Sequence, residues 1–272
     1  MSGPEFIPLP PDWMTDAEGY GRKVHSSAIA GWLFGRNQRI ALRWMRPRSG
    51  ETWLDLGCGP GNLFPSLHAT GARIIGVDIR DWMIDAATGV LRRLDPGHER
   101  AHRAIRADAR GLREVDTASV DGVVSLETLE HVLPLEPALE EIHRILRPRG
   151  KLVYSVPVEF GTALLAREVA RRVLGFESDG YSLRELVAIG ILGRTGAYQV
   201  QREGPDPPVM RRGEGFARHK YFDCRRLRRS LSVLFEIERE TWAPFGVRGP
   251  WAVSHVVQAR RREVRPVRNA RD

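Results

Sequence analysis

Between about residues 50 and 156, short apolar runs alternate with longer segments whose apolar positions recur every three or four residues. The runs ETWLDLG, ARIIGVDI, AHRAIRAD, VDGVVSLE and GKLVYSVPV have the length and density of short buried strands. Between them, NLFPSLHAT, DWMIDAATGVLRRL and PLEPALEEIHRIL have helical spacing. In the last of these, Leu135, Leu139, Ile142 and Leu146 share a face while glutamates line the other. RPRG then supplies a stop, with proline and glycine beyond a basic last turn. This alternation predicts an α/β domain, a parallel sheet with helices on both faces.

The rhythm breaks at residue 157. Residues 159–215 contain no strong strand, and turn residues cluster in EGPDPP and RRGEG. Strand patterns return in VLFEIERETW and WAVSHVVQARR, joined by PFGVRGP, a pair suited to closing the sheet's edge as a hairpin. Five regions follow: an N-terminal helical extension (1–49), a core (50–158), an inserted lid (159–215), a return to the core sheet (216–260) and a basic tail (261–272).

Composition narrows the class. Over 272 residues, 42% hydrophobic and 28% charged, the chain can bury one substantial core and is not globally disordered. No apolar run reaches membrane length and no basic-then-apolar leader opens the chain, so a cytoplasmic location is expected. Two cysteines, Cys58 and Cys224, make neither a disulfide framework nor a zinc site. The net charge of +8 is carried by arginine; it suits an anionic partner and equally a solvated surface.

Chemistry concentrates after the first strand. WLDLGCGPGN places Gly57, Gly59 and Gly61 in one turn, with Asp55 two residues before it. In open parallel sheets, ligands bind beyond the carboxyl ends of strands where the strand order reverses. Asp78 closes the second strand pattern, placed to accept hydrogen bonds from two ribose hydroxyls, and Asp108 closes the third, placed to meet an adenine amino group. Each aspartate alone could be a helix cap. An acid so near the turn would repel a pyrophosphate but would neutralise an ammonium, which favours an adenosyl–amino-acid cofactor over a dinucleotide.

At these residues the chain resembles the class I S-adenosylmethionine-dependent methyltransferases. WLDLGCGPGN resembles the family's cofactor turn, IIGVDIRDWMIDAA its second-strand acid motif and IRADARGL its third; SLETLEHV resembles the segment after strand four and LRPRGKLVYSVPV the lead into strand five. The resemblance implies a Rossmann-like, seven-stranded, mostly parallel sheet with S-adenosyl-L-methionine as cofactor. It places Asp55, Gly57, Gly59 and Gly61 around the methionine part. Asp78, Ile79 and Met83 would hold the ribose and one adenine face, and Asp108 and Ala109 the adenine edge.

For the methyl acceptor, the candidates are Glu127, Glu130 and His131, an ExxEH pattern shared with quinone-ring O-methyltransferases. A phenol, hydroxyl or protonated amine must lose a proton, and a carboxylate or imidazole can take it. In those relatives the positions line the acceptor side and have been linked to a divalent metal. Two carboxylates and an imidazole within five residues suit one by spacing, but His131 can equally orient the loop, and no metal is assigned. His219, in FARHKYFDCRRLRRSL, is a second candidate base, and Asp223 beside it is a candidate cap for the helix carrying Leu227, Leu231 and Leu234. Tyr20 could cover the cofactor or simply pack.

In the insertion, Phe160, Leu164, Leu165, Val169 and Val173 fall near one helical face and Arg167, Arg171 and Arg172 mark the other. Such a helix packs its apolar stripe on the domain or lies on an anionic membrane. Its apolarity suggests a greasy, lipid-like small-molecule acceptor, with peripheral contact at the inner membrane face. The expected activity is methyl transfer to a small, apolar acceptor, with oxygen ahead of nitrogen. A tRNA or rRNA methyltransferase is the first alternative; no Asn-Pro-Pro-aromatic motif, RNA-binding module or basic patch interleaved with aromatics supports nucleic acid. The second is a cofactor-binding partner without catalysis.

Overall fold

Buried strands and amphipathic helices assemble as their patterns require. The structure is a computed structural model of the chain and describes residues 4–10, 13, 28–97, 102–173, 181–195 and 222–263. Helix α1 (Ala28–Met45) precedes β1 (Thr52–Leu56), α2 (Phe64–His68), β2 (Arg73–Asp78), α3 (Asp81–Leu94), β3 (Arg103–Arg106) and β4 (Val120–Leu126). A 3-10 turn (Leu129–His131), α4 (Glu136–Ile145), β5 (Leu146–Pro157) and α5 (Gly161–Val173) follow. After a short helix (Leu183–Glu185) that runs into a π-helical turn (Leu186–Ile191) come α6 (Cys224–Leu234), β6 (Phe235–Ala243) and β7 (Ser254–Arg261).

The seven strands form one sheet in the order β3-β2-β1-β4-β5-β7-β6. Strands β1 to β5 pair in parallel, and β7 runs antiparallel between β5 and β6. The C-terminal hairpin thus closes one edge, as the sequence pattern suggests. The outer strand β6 carries Glu236, Glu238, Arg239 and Glu240 and a register shift at Ile237/Arg239, features that discourage pairing with a further strand. The order reverses at β1, between β2 and β4.

Each sheet face has its own core. On one, Leu54, Leu56, Val123, Leu152 and Tyr154 meet Leu139 and Ile142 of α4 and Leu227 and Leu231 of α6. On the other, Trp53, Ile74, Val124 and Val153 meet Leu42 and Met45 of α1, Phe64 of α2 and Val90 of α3. Each fully buried leucine or isoleucine contributes about 1.5–3 kcal/mol. Asp223 caps α6 as expected, its carboxylate accepting from the Arg225 N–H.

Two details differ from the sequence pattern. Helix α4 ends at Ile145, and Leu146, which shares its apolar periodicity, already pairs with Val120 as the first residue of β5. The RPRG stretch bulges out before pairing resumes at Gly122 and Lys151. In α5 the arginine face is not uniformly solvated: Arg167 turns inward to the buried Glu159, while Val169 and Val173, assigned to the apolar face, are exposed. A buried carboxylate is costly without a partner, and Glu159 draws the guanidinium inward.

Candidate active site

The glycine turn leaves β1 at the reversal of strand order and is strapped to β2: the N–H groups of Gly57 and Cys58 both donate to the Val77 carbonyl, at 2.7 and 2.9 Å. All three glycines have positive φ, but their surroundings differ. A Cβ on Gly57 would lie 2.1 Å from the Thr128 hydroxyl, and one on Gly61 would lie 2.5 Å from the Phe64 ring. Packing accounts for both. Gly59 is buried, yet a Cβ there would meet nothing within 4 Å among the described residues; they leave its bare backbone uncovered, as a cradle for a ligand must be.

Asp78, the last residue of β2, accepts the Gly59 N–H on Oδ2 (3.1 Å) and the Arg80 N–H on Oδ1 (3.0 Å). It is not a helix cap: the cap position of α3 is Arg80. Burial pushes its carboxyl up, against the pull of those N–H groups and the Arg80 charge. Asp55 lies deeper, 4% exposed, and burial followed by repulsion from Asp78 raises it to about 7. No hydrogen bond to its carboxylate comes from the described residues. Ile79 is exposed beside Asp78, and Met83 is buried in α3.

Asp108 does not end β3, which stops at Arg106. It sits two residues beyond and caps no helix. Arg110 instead folds back on it, with Nε 2.9 Å from Oδ1 and a terminal nitrogen 2.6 Å from Oδ2, and this side-chain bonding holds the carboxyl below its usual range. The same guanidinium donates to the Leu133 carbonyl at 2.6 Å. Ala109 beside it is half-buried.

Glu127 follows β4 directly with a φ of +52°, a left-handed conformation that costs a residue with a side chain about 1–3 kcal/mol. Its Oε1 accepts from Asn37 Nδ2 (3.2 Å) and Ser155 Oγ (2.8 Å), and Asn37 also donates to Ser254 Oγ at 2.9 Å. Burial pushes the Glu127 carboxyl up, while Ser155, Ser254, the Arg167 charge and Asn37 pull the other way. Glu130 is fully buried, with Oε1 3.8 Å from His131 Nε2. The three side chains are not gathered as ligands: among the described residues no group of three His, Cys, Asp or Glu is arranged to hold a metal. His219 and Tyr20 lie outside the described residues.

Sequence reasoning missed Asn37, Ser155, Ser254, Arg110 and the Glu159–Arg167 pair. For Asn37 a signal existed. Asn37 and Gln38 continue, one turn back, the buried row of Ala41, Leu42 and Met45, and polar residues on a buried face need partners. For the serines, nothing in their surroundings marks them.

Residues 54–154 match a family described as a methyltransferase domain. The ubiquinone biosynthesis O-methyltransferase of Pseudomonas putida (strain W619) is 28% identical over 142 residues, 50% of this chain and 60% of that protein. Its counterpart in Idiomarina loihiensis is 31% identical over 132 residues, 48% of this chain and 53% of that one. The chain thus spans between about half and 60% of these relatives' length. In fold, it is similar to the N-methyltransferase NodS of Bradyrhizobium japonicum in complex with S-adenosyl-L-homocysteine, with a TM-score of 0.54 and 12% identity over 93% of this chain and 97% of that one.

The residues present suit an adenosyl–amino-acid ligand. Gly59 offers an open cradle, Asp78 retains acceptor capacity on both oxygens, and Asp55 is a buried acid that a ligand ammonium would complement. Sequence match, sheet order and turn geometry agree: the chain contains a class I, Rossmann-like methyltransferase domain of the S-adenosylmethionine-dependent kind.

Proposed function

We propose that this protein transfers a methyl group from S-adenosylmethionine to a hydroxyl of a small, apolar acceptor, with residues 159–215 forming a lid over the acceptor. The observation that carries the cofactor half is the junction of Gly59 with Asp78 above the buried Asp55. When bound there, the cofactor supplies an electrophilic methyl on a sulfonium. In this reading Asp55 neutralises the ammonium, Asp78 holds the ribose hydroxyls with Ile79 and Met83 along one adenine face, and Asp108 and Ala109 meet the adenine edge.

On the acceptor side the residues position a hydroxyl, exclude water and remove its proton. Glu127 is the preferred proton acceptor, because burial moves its carboxyl towards neutrality and its position follows β4 at the reversal of strand order. Glu130 and His131 shape the adjoining wall, and His219 is the remaining candidate base. Resemblance to ubiquinone biosynthesis O-methyltransferases favours oxygen over nitrogen and a phenolic acceptor with an apolar tail.

No helix among the described residues is long and apolar enough to cross a membrane. The exposed Val169, Val173, Ile191 and Leu192 instead support peripheral contact of the lid with an anionic lipid surface, which would give the protein access to a lipid-like acceptor. The test is transfer of labelled methyl from S-adenosylmethionine to catechols of increasing alkyl-chain length, with and without phosphatidylglycerol vesicles. The reading predicts rising kcat/KM with chain length and protein in the vesicle pellet at low salt. Turnover of amines alone would move the acceptor to nitrogen, and absence from the pellet would remove the membrane.

A further inference from the structure

Four separate parts of the chain meet at the carboxylate of Glu127. Ser155 comes from β5, Ser254 from β7, Glu127 itself from the end of β4, and Asn37 from the middle of α1, outside the region matched by the methyltransferase family. Asn37 is 7% exposed and, with Gln38, continues a buried helix row of Ala41, Leu42 and Met45. Asparagine is a poor choice there on two counts. It has low helix propensity, and its amide must be desolvated. A helix that only needed to pack on the sheet would be better served by alanine or leucine. Both contacts of the Asn37 amide nitrogen are instead polar, one to Glu127 Oε1 at 3.2 Å and one to Ser254 Oγ at 2.9 Å. Ser155 Oγ reaches the same Oε1 at 2.8 Å, and the Ser155 carbonyl accepts the Glu127 N–H at 2.9 Å. Side chain and backbone of Glu127 are therefore both fixed, in a left-handed conformation that would relax without such restraint.

From this convergence we infer that Asn37 is a positioning residue, acting through Glu127. The N-terminal helix supplies the side chain that, with Ser155 and Ser254, sets where the Glu127 carboxylate points. The inference rests on the reading of Glu127 as the group that meets the acceptor. It adds that α1 is part of the acceptor machinery, so that the methyltransferase domain is incomplete without a helix from outside it.

A double-mutant cycle on the full chain tests this, with labelled S-adenosylmethionine and 4-hexylcatechol as the acceptor probe. Asn37→Ala should lower kcat about tenfold, the scale of one lost hydrogen bond to a charged group, with little change in KM. The affinity for S-adenosylhomocysteine should stay at the wild-type value. In a Glu127→Gln background, Asn37→Ala should cost nothing further. Additive losses, or full kcat in Asn37→Ala, overturn the inference, because a helix that merely packs would act independently of Glu127. A crystal structure of Asn37→Ala provides a readout that needs no turnover. The inference predicts that the Glu127 side chain leaves Ser155, and an unmoved side chain overturns it. Wild type that fails to bind S-adenosylhomocysteine refutes the methyltransferase reading itself, an outcome separate from either of these.

Discussion

Replacing Asp55 with asparagine should make the unliganded protein more stable at pH 8 while weakening its grip on the cofactor. Asp55 is 4% exposed, and burial, then the nearby charge of Asp78, lifts its carboxyl from 3.8 to about 7. A carboxyl raised in the folded state binds a proton that the unfolded chain gives up. Its contribution to stability is therefore fully present below about pH 4, declines as pH rises, and is lost once pH passes about 7. The difference between the two values, at about 1.4 kcal/mol per tenfold, amounts to about 4 kcal/mol of destabilisation at full ionisation. Asparagine keeps the shape and cannot ionise. Urea denaturation of both proteins at pH 5, 6, 7 and 8 should show the wild type losing stability relative to Asp55→Asn across this range. A difference between the two that stays constant with pH would mean that folding does not shift the ionisation of Asp55. Titration of Asp55→Asn with S-adenosylhomocysteine should show the opposite penalty, a loss of at least tenfold in affinity, because the ligand ammonium loses its counter-charge.

Two further contrasts separate packing from ligand binding. Gly57→Ala should destabilise by at least about 2 kcal/mol because its Cβ would lie 2.1 Å from the Thr128 hydroxyl. Gly59→Ala meets no atom of the described residues within 4 Å and should cost only the left-handed strain, about 1–2 kcal/mol, yet lose S-adenosylhomocysteine binding; retained affinity would mean that Gly59 faces no ligand. Tyr154 is fully buried on the opposite sheet face, and its hydroxyl has no hydrogen-bond partner among the described residues. Tyr154→Phe should therefore raise stability by about 1 kcal/mol in urea denaturation, and a comparable loss would show that the hydroxyl is bonded.

The sheet was legible because buried parallel strands and amphipathic helices are dictated by periodicity, and their patterns differ over windows of this length. The C-terminal hairpin was legible for the same reason. Glycines and acids at strand ends were readable because the cofactor turn is local in sequence: Asp55 to Gly61 is one continuous stretch. What the sequence hid is long-range. Asn37 and Glu127 are ninety residues apart and meet only because α1 crosses the sheet. Arg167 sits on the arginine side of its helix by period, yet the buried Glu159 and the Val158 carbonyl turn it inward. Arg110 is two residues from Asp108, yet no pattern distinguishes a solvated arginine from one that folds back on its neighbour.

The proposed activity depends on binding of an adenosyl–amino-acid cofactor by the turn after β1 and the acid ending β2. Calorimetric titration with S-adenosylhomocysteine, on wild type and on Asp78→Ala, measures that binding. The wild type should show one site of micromolar affinity, weakened by at least two orders of magnitude in the variant, as expected when the acceptor for both ribose hydroxyls is removed. Absence of binding to the wild type, or equal affinity in Asp78→Ala, would mean that this turn and its acid do not hold the cofactor.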